Sequence, residues 1–298
     1  MSRRFAFTAA ILVCLLAGTA PAQQAAYGAI PIAEQQQRDE AQRLALALSD
    51  LQPQRPGIVD AYVVAIALDS DPVFNREARE AGRVLARRFD AAGRTVILAA
   101  DEGTDQGQAI GSPPNMSQAL ARVAELMDEN EDVLVLYSTS HGTPRAGINY
   151  RDLARGSAII TPEQLSAQLA ERNFQNRLII LQACFAGQFV PVLAGPRSVV
   201  VTAASAMRSS FGCTADNDWT FFGHALVNQA LRQPDTFVRQ FRRAFVTIYG
   251  WEKKLGIEPS DPQISVGKEA IGWLAALDAL APKEASTPVG KPPSELSR

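Results

Sequence analysis

Three stretches of this chain, residues 59–68, 132–137 and 177–181, are apolar almost without interruption, and longer segments with helical spacing lie between them. A strand with one wet face alternates apolar and polar residues, so a strand without alternation must be covered on both faces. Strands of that kind joined through helices form a parallel sheet between two helical layers. The spacing predicts strands at 59–68, 94–100, 132–137, 177–181 and 198–202, an edge strand at 263–266, and helices at 75–92, 116–129, 161–172, 220–232, 234–254 and 269–280. Asn115 is read as the cap of the second of these helices, and Thr161 with Pro162 opens the third. A dinucleotide-binding sheet would alternate in the same way. Here, however, Leu68-Asp69-Ser70-Asp71-Pro72 follows the first strand, and it carries no Gly-x-Gly-x-x-Gly to cradle a pyrophosphate.

The ends of the chain read differently from its middle. Arg3 and Arg4, a short apolar run over 5–18 and Ala20-Pro21-Ala22 have the form of a cleaved secretory signal at 1–22, which implies a periplasmic or secreted protein with no stable membrane anchor after cleavage. Residues 23–56 read as a linker and a helix that either packs on the domain or acts as a propeptide, 57–281 as the domain, and the Pro/Ser/Lys-rich 282–298 as a disordered tail. A formal charge of −2, with 29 basic and 31 acidic residues and no basic stripe, gives no footprint for nucleic acid. No CxxC or His-rich spacing marks a metal site, and no cofactor motif is present.

Two predicted strands end in reactive residues. One runs into Ser138-Thr139-Ser140-His141-Gly142, the other into Gln182-Ala183-Cys184-Phe185-Ala186-Gly187. Open α/β sheets place their sites just beyond the carboxyl ends of strands, so His141 and Cys184 can meet there. A thiol is a good nucleophile as its thiolate, and a nearby imidazole supplies the base that generates it. Gly142 lets a backbone N–H approach an oxyanion without an intervening Cβ. The only other histidine, His224, lies in a predicted helix and reads as structural, and Trp219 and Phe221 read as core aromatics.

The strand ending in His-Gly and the later strand ending in Ala-Cys resemble the legumain-like cysteine peptidases, family C13 of the caspase-hemoglobinase clan. Val200-Val201-Thr202-Ala203-Ala204-Ser205 followed by Ser209-Ser210-Phe211-Gly212-Cys213 is similar to that family's strand and substrate-binding loop. The resemblance covers about 59–267. It implies a caspase-like three-layer α/β fold, with a mostly parallel central sheet and helices on both faces. It further implies a peptide or protein substrate attacked by Cys184, with His141 as acid and base and the N–H groups of Gly142 and Cys184 as the oxyanion site. The acyl-thioester would be released to water or, as in some members of that family, to another amine. A pocket for the residue before the scissile bond would then comprise Arg76, Gln182, Ser209, Ser210 and Asp218, with asparagine preferred. The family's third catalytic-site residue, an Asn, would fall at or beside Asn75. Asp69 and Asp71 read as caps of the turn after the first strand.

Two other classes stay open on the sequence: a binding module of the same fold without the chemistry, and a redox protein in which Cys184 and Cys213 form a reversible disulfide.

Overall fold

The computed structural model describes residues 32–99 and 108–297, so the signal segment 1–22 and residues 23–31 lie outside the described residues. In chain order the elements are α1 (Ile32–Ser49), β1 (Ala61–Ala67), α2 (Pro72–Arg88), β2 (Thr95–Leu98), α3 (Pro113–Leu126), β3 (Val133–Thr139), β4 (Gly142–Thr143), β5 (Gly147–Asp152) and β6 (Gly156–Ile160). They continue with α4 (Pro162–Ala170), β7 (Asn176–Gln182), α5 (Val190–Leu193), β8 (Ser198–Thr202), α6 (Phe237–Leu255), β9 (Gln263–Val266) and α7 (Ala270–Leu280).

Six strands form one sheet in the order β2-β1-β3-β7-β8-β9, parallel except for the antiparallel edge strand β9. Because side chains of a strand alternate between faces, each central strand feeds two separate cores. Val63, Val135, Ile180 and Val201 face one side, against Leu85 of α2, Phe237, Phe241 and Ile248 of α6 and Leu277 of α7. Val64, Leu136, Ile179 and Val200 face the other, against Leu120 of α3, Leu165 of α4 and Leu193 of α5. Every residue of β1, β3, β7 and β8 except Arg177 is buried, which is why these stretches lack alternation. The mostly parallel three-layer α/β arrangement expected from the sequence is the one found.

Several local readings change. The α3 helix begins at Pro113 and is capped by Ser112, whose hydroxyl accepts from the Asn115 N–H. Asn115, read as that cap, instead donates its side-chain amide to Glu40 of α1 at 2.8 Å. The same Glu40 oxygen accepts from the Ile110 N–H, so α1 is tied to the domain, and its Leu44 is buried in the second core. Residues 142–160, to which the spacing assigns no strand or helix, hold a small antiparallel sheet, β4-β5-β6. Its signal was the alternation Ile148-Asn149-Tyr150-Arg151, with Ile148 and Tyr150 buried.

The predicted helix 220–232 is a wide-turned π-helix at Gly223–Gln229 followed by a tight 3-10 turn. The wide turn lets the His224 ring meet Asn228 through Nδ1 at 3.2 Å and Gln229 through Nε2 at 3.1 Å, while it stacks on Trp251. Finally, 282–297 is laid on the domain by hydrogen bonds where composition suggested disorder. Among them are a two-way pair between Asn228 and Val289 and the Ser286 N–H to the Arg232 carbonyl.

Burial lowers the pKa of His224 from 6.5 to about 4. A base with a depressed folded pKa contributes stability that is present above its unfolded pKa and lost as pH falls through the folded one. Replacing it by His224→Phe, which keeps the stacking surface, should therefore flatten the loss of unfolding free energy between pH 6.5 and 4 by on the order of 2–3 kcal/mol. Chemical denaturation across that window checks it, and parallel wild-type and variant curves would contradict it.

Candidate active site

The strands β3 and β7 are parallel neighbours with Thr139 opposite Gln182, and the ladder continues through the Ser140 N–H to the Gln182 carbonyl at 3.1 Å. His141 and Cys184 each lie two residues past that register pair, so the two chains leave the sheet side by side. Beyond it they touch. A Cβ on Gly142 would overlap the Cys184 carbonyl and lie 3.2 Å from the Cys184 nitrogen, so this approach requires glycine. Asn149 N–H donates to the His141 carbonyl, which makes Gly142 and Ile148 a non-hydrogen-bonded pair of the β4-β5 ladder.

Cys184 is presented by a sharp turn. Phe185, directly after it, has φ of 59°, a left-handed conformation that costs a non-glycine residue about 1–2 kcal/mol. The turn is held from both sides by Phe185 N–H to the Arg208 carbonyl and Gly187 N–H to the Ala204 carbonyl. The thiol itself is half-buried. Its Sγ accepts from the Ser210 N–H at 3.3 Å and lies 3.5 Å from the Ser210 carbonyl.

The ring of His141 packs edge-on against Phe74, with centroids 4.9 Å apart, and its Nε2 lies 3.4 Å from Oδ2 of Asp71. With Nε2–H turned to that carboxylate, Nδ1 is the basic nitrogen. Asp71 occupies the cap position of α2 but makes no side-chain cap bond there. It is oriented instead by Arg151 of β5, at 2.7 Å, which also grips Asp69 through two hydrogen bonds of 2.9 and 3.0 Å. These contacts hold the Arg151 guanidinium above its ordinary pKa. Asp69, Asp71 and His141 form the one group among the described residues whose possible metal-ligating atoms lie within 4.8 Å of one another. The Arg151 guanidinium already pairs with both carboxylates and occupies the space between them, so the donor set does not fit a divalent ion.

Behind the site lies a buried polar network. Glu77 of α2 is fully buried with no cation paired to it among the described residues, and its carboxylate accepts from Tyr137 and Thr139 of β3 and from both the N–H and the hydroxyl of Thr220. Desolvation pushes its pKa up, and the four donors oppose that shift. The Thr139 hydroxyl is also 3.3 Å from Oε1 of Gln182. Cys213 is free, and burial raises its thiol pKa, so it stays protonated and makes a poor nucleophile.

The remaining expected residues fall into two groups. Arg76 and Asp218 do meet, Nε to Oδ1 at 3.3 Å, but Arg76 also donates to the Asn217 carbonyl at 2.7 Å and to that of Ala215, so it anchors the loop as well. Ser210 lies on the Cys184 sulfur, Gln182 is fully buried on β7, and Ser209 is exposed. Asn75 is buried on α2, with its amide donating to the Asp71 carbonyl at 3.4 Å. Asp69 does cap the turn after β1, its Oδ1 accepting from the Asp71 N–H at 2.9 Å, whereas Asp71 makes no side-chain cap bond and instead faces His141. Both sit at the carboxyl end of β1, next to β3, where the same strand-end rule would have found them. Phe185, Glu77 and Arg151 gave no comparable signal.

The sequence profile described as the Peptidase C13 family matches residues 114–272. No curated protein sequence matches the chain. Among solved structures, caspase-1 from Spodoptera frugiperda is similar with a TM-score of 0.46 and 12% identity, over 73% of this chain and 93% of that one. The matched family segment runs from the start of α3 into α7, more than half of the chain, and contains both strand ends that carry His141 and Cys184; the chain belongs to the peptidase C13 family.

Proposed function

We propose that this protein is a cysteine-type endopeptidase in which Cys184 is the nucleophile and His141 the acid and base. The observation that carries the reading is the common register of the β3 and β7 ends, with Gly142 pressed against Cys184. In the first step the thiolate adds to a peptide carbonyl, and the oxyanion forms beside the N–H groups of Gly142 and Cys184. Collapse expels the amine, which takes its proton from the His141 imidazolium and leaves an acyl-thioester. Water, deprotonated by the neutral imidazole, then attacks the thioester, and the acid leaves as Cys184 regains its proton. Asp71 holds the ring in one tautomer throughout and does not itself transfer the proton.

Of the two thiols among the described residues, the inert one is Cys213, which argues against disulfide exchange as the primary activity. The carboxylate of Asp218 beside the guanidinium of Arg76 suits a carboxamide, whose oxygen accepts from one and whose NH₂ donates to the other. A carboxylate side chain would meet Asp218, and a cation would meet Arg76. Asparagine before the scissile bond follows. The protein is further proposed to be exported, on the strength of Arg3, Arg4, the apolar run 5–18 and Ala20-Pro21-Ala22.

Three outcomes are expected. Cys184→Ala abolishes peptide cleavage, His141→Ala lowers kcat/KM by about 10²–10⁴-fold, and Asp71→Ala lowers it by about 10–100-fold, while Asn75→Ala stays within about threefold. Kinetics on folded variants decide this, and full activity in Cys184→Ala would end the reading. In a peptide series varied only before the scissile bond, asparagine is cleaved fastest and Arg76→Ala erodes that preference; preferred cleavage after Lys or Leu removes the pocket assignment alone. N-terminal sequencing of protein from its native cell should begin at Gln23, and an intact Met1 refutes export.

A further inference from the structure

We propose that the C-terminal segment 289–295 is a strap that completes the substrate-recognition loop, fastening Asn217 and Asp218 from behind and so setting the pocket they share with Arg76. The proposal rests on the peptidase reading for its substrate, but the strap itself rests on separate contacts.

Residues 211–219 contain no helix or strand, so something outside the loop must fix them. The segment 289–295 supplies it. Lys291 N–H donates to Oδ2 of Asp218 at 2.7 Å, and Ser294 N–H donates to Oδ1 of Asn217 at 3.0 Å. Glu295 accepts from the Asn217 amide through one oxygen at 3.1 Å and from the Thr214 hydroxyl through the other at 3.3 Å. The Val289 carbonyl accepts from the Trp219 indole at 2.9 Å and from Asn228 at 2.9 Å. Composition that reads as disorder serves this role: Pro288, Pro292 and Pro293 lose little freedom on binding, and Gly290, at φ of +71°, lets the chain bend onto Asp218.

Two contacts hold Asp218. Its ion pair with Arg76 is 27% and 31% exposed, so water screens it and it leaves the carboxylate free to turn. A backbone N–H on the second oxygen removes that remaining rotation. The strap thus aims Oδ1 at Arg76. The partners named here lie on the loop and at Asn228, whereas the contacts of Cys184 and His141 go to Ser210, Asp71 and Phe74. The segment backs the pocket and does not plug the nucleophile.

Two full-length variants test it. In Gly290→Val a β-branched residue must adopt a positive φ, and its Cβ would lie 3.0 Å from the Asp218 Cβ and Oδ2. Glu295→Ala removes both acceptors of the strap's far end and leaves the backbone unstrained. Hydrogen exchange on 210–221 and steady-state kinetics on an asparagine-containing peptide are measured for both. Expected for Gly290→Val are amide exchange at least about tenfold faster in the loop with β3 and β7 unchanged, and KM raised about tenfold with kcat within about twofold. Glu295→Ala should move both in the same direction, by about threefold. Unchanged exchange and KM in both variants, or a rise in kcat/KM as expected for release of a plug, overturns the strap. If the wild-type protein cleaves no peptide, the peptidase reading fails, and the exchange data still decide whether the segment fastens the loop.

Discussion

The site depends on one backbone pairing: β3 against β7 in a register that places Thr139 opposite Gln182. A parallel ladder fixes both the separation of two strands and the point along them where each chain leaves. The two residues after that pair therefore arrive together without any side-chain interaction to draw them in. Gly142 then allows the two exits to touch, and Phe185 turns the second chain sharply enough to leave Cys184 at its corner. A slip of the register would move every side chain of β7 to the other core, so packing of Ile179 and Ile180 on opposite faces guards the geometry of the site.

Around this pairing, polar contacts lock the parts that the sheet does not reach. Arg151 ties β5 to Asp69 and Asp71 at the end of β1, and Asp71 in turn meets His141. Glu77 ties α2 to β3 and to Thr220, which follows the loop 211–219. An isolated buried carboxylate would cost several kcal/mol, and here four donors offset that cost. Glu77 makes the position of the loop conditional on the position of the strand that carries His141. Its place also leaves no room for a side chain at Gly223.

Much of this was legible in the sequence because the relevant signals are local or periodic. Uninterrupted apolar runs announced strands buried on both faces, and β8 was found at the residues expected. Cys184 and His141 were visible because reactive residues ended two such runs. What escaped depends on tertiary distance. Asp71 looked like a turn cap, since a Ser-Asp-Pro sequence explains itself locally, and only the adjacency of β1 and β3 reveals its partner. Arg151 sits in a short alternating strand hidden within a segment of turn residues. The tail at 282–297 has the composition of a disordered segment, yet proline-rich chain with free backbone donors is well suited to lie against a polar loop.

The central claim is that this framework activates Cys184 and leaves Cys213 inert. Its most direct test is covalent: a peptide ending in a chloromethyl ketone at the scissile position is reacted with the native protein at neutral pH, the thiolate sulfur displacing chloride from the methylene carbon, and the modified residue is located by mass spectrometry. The account predicts a thioether on Cys184 alone, formed at a rate that falls by at least about a hundredfold in His141→Ala, with Cys213 unmodified. Equal labelling of the two cysteines, or labelling of Cys184 that ignores the loss of His141, would contradict it.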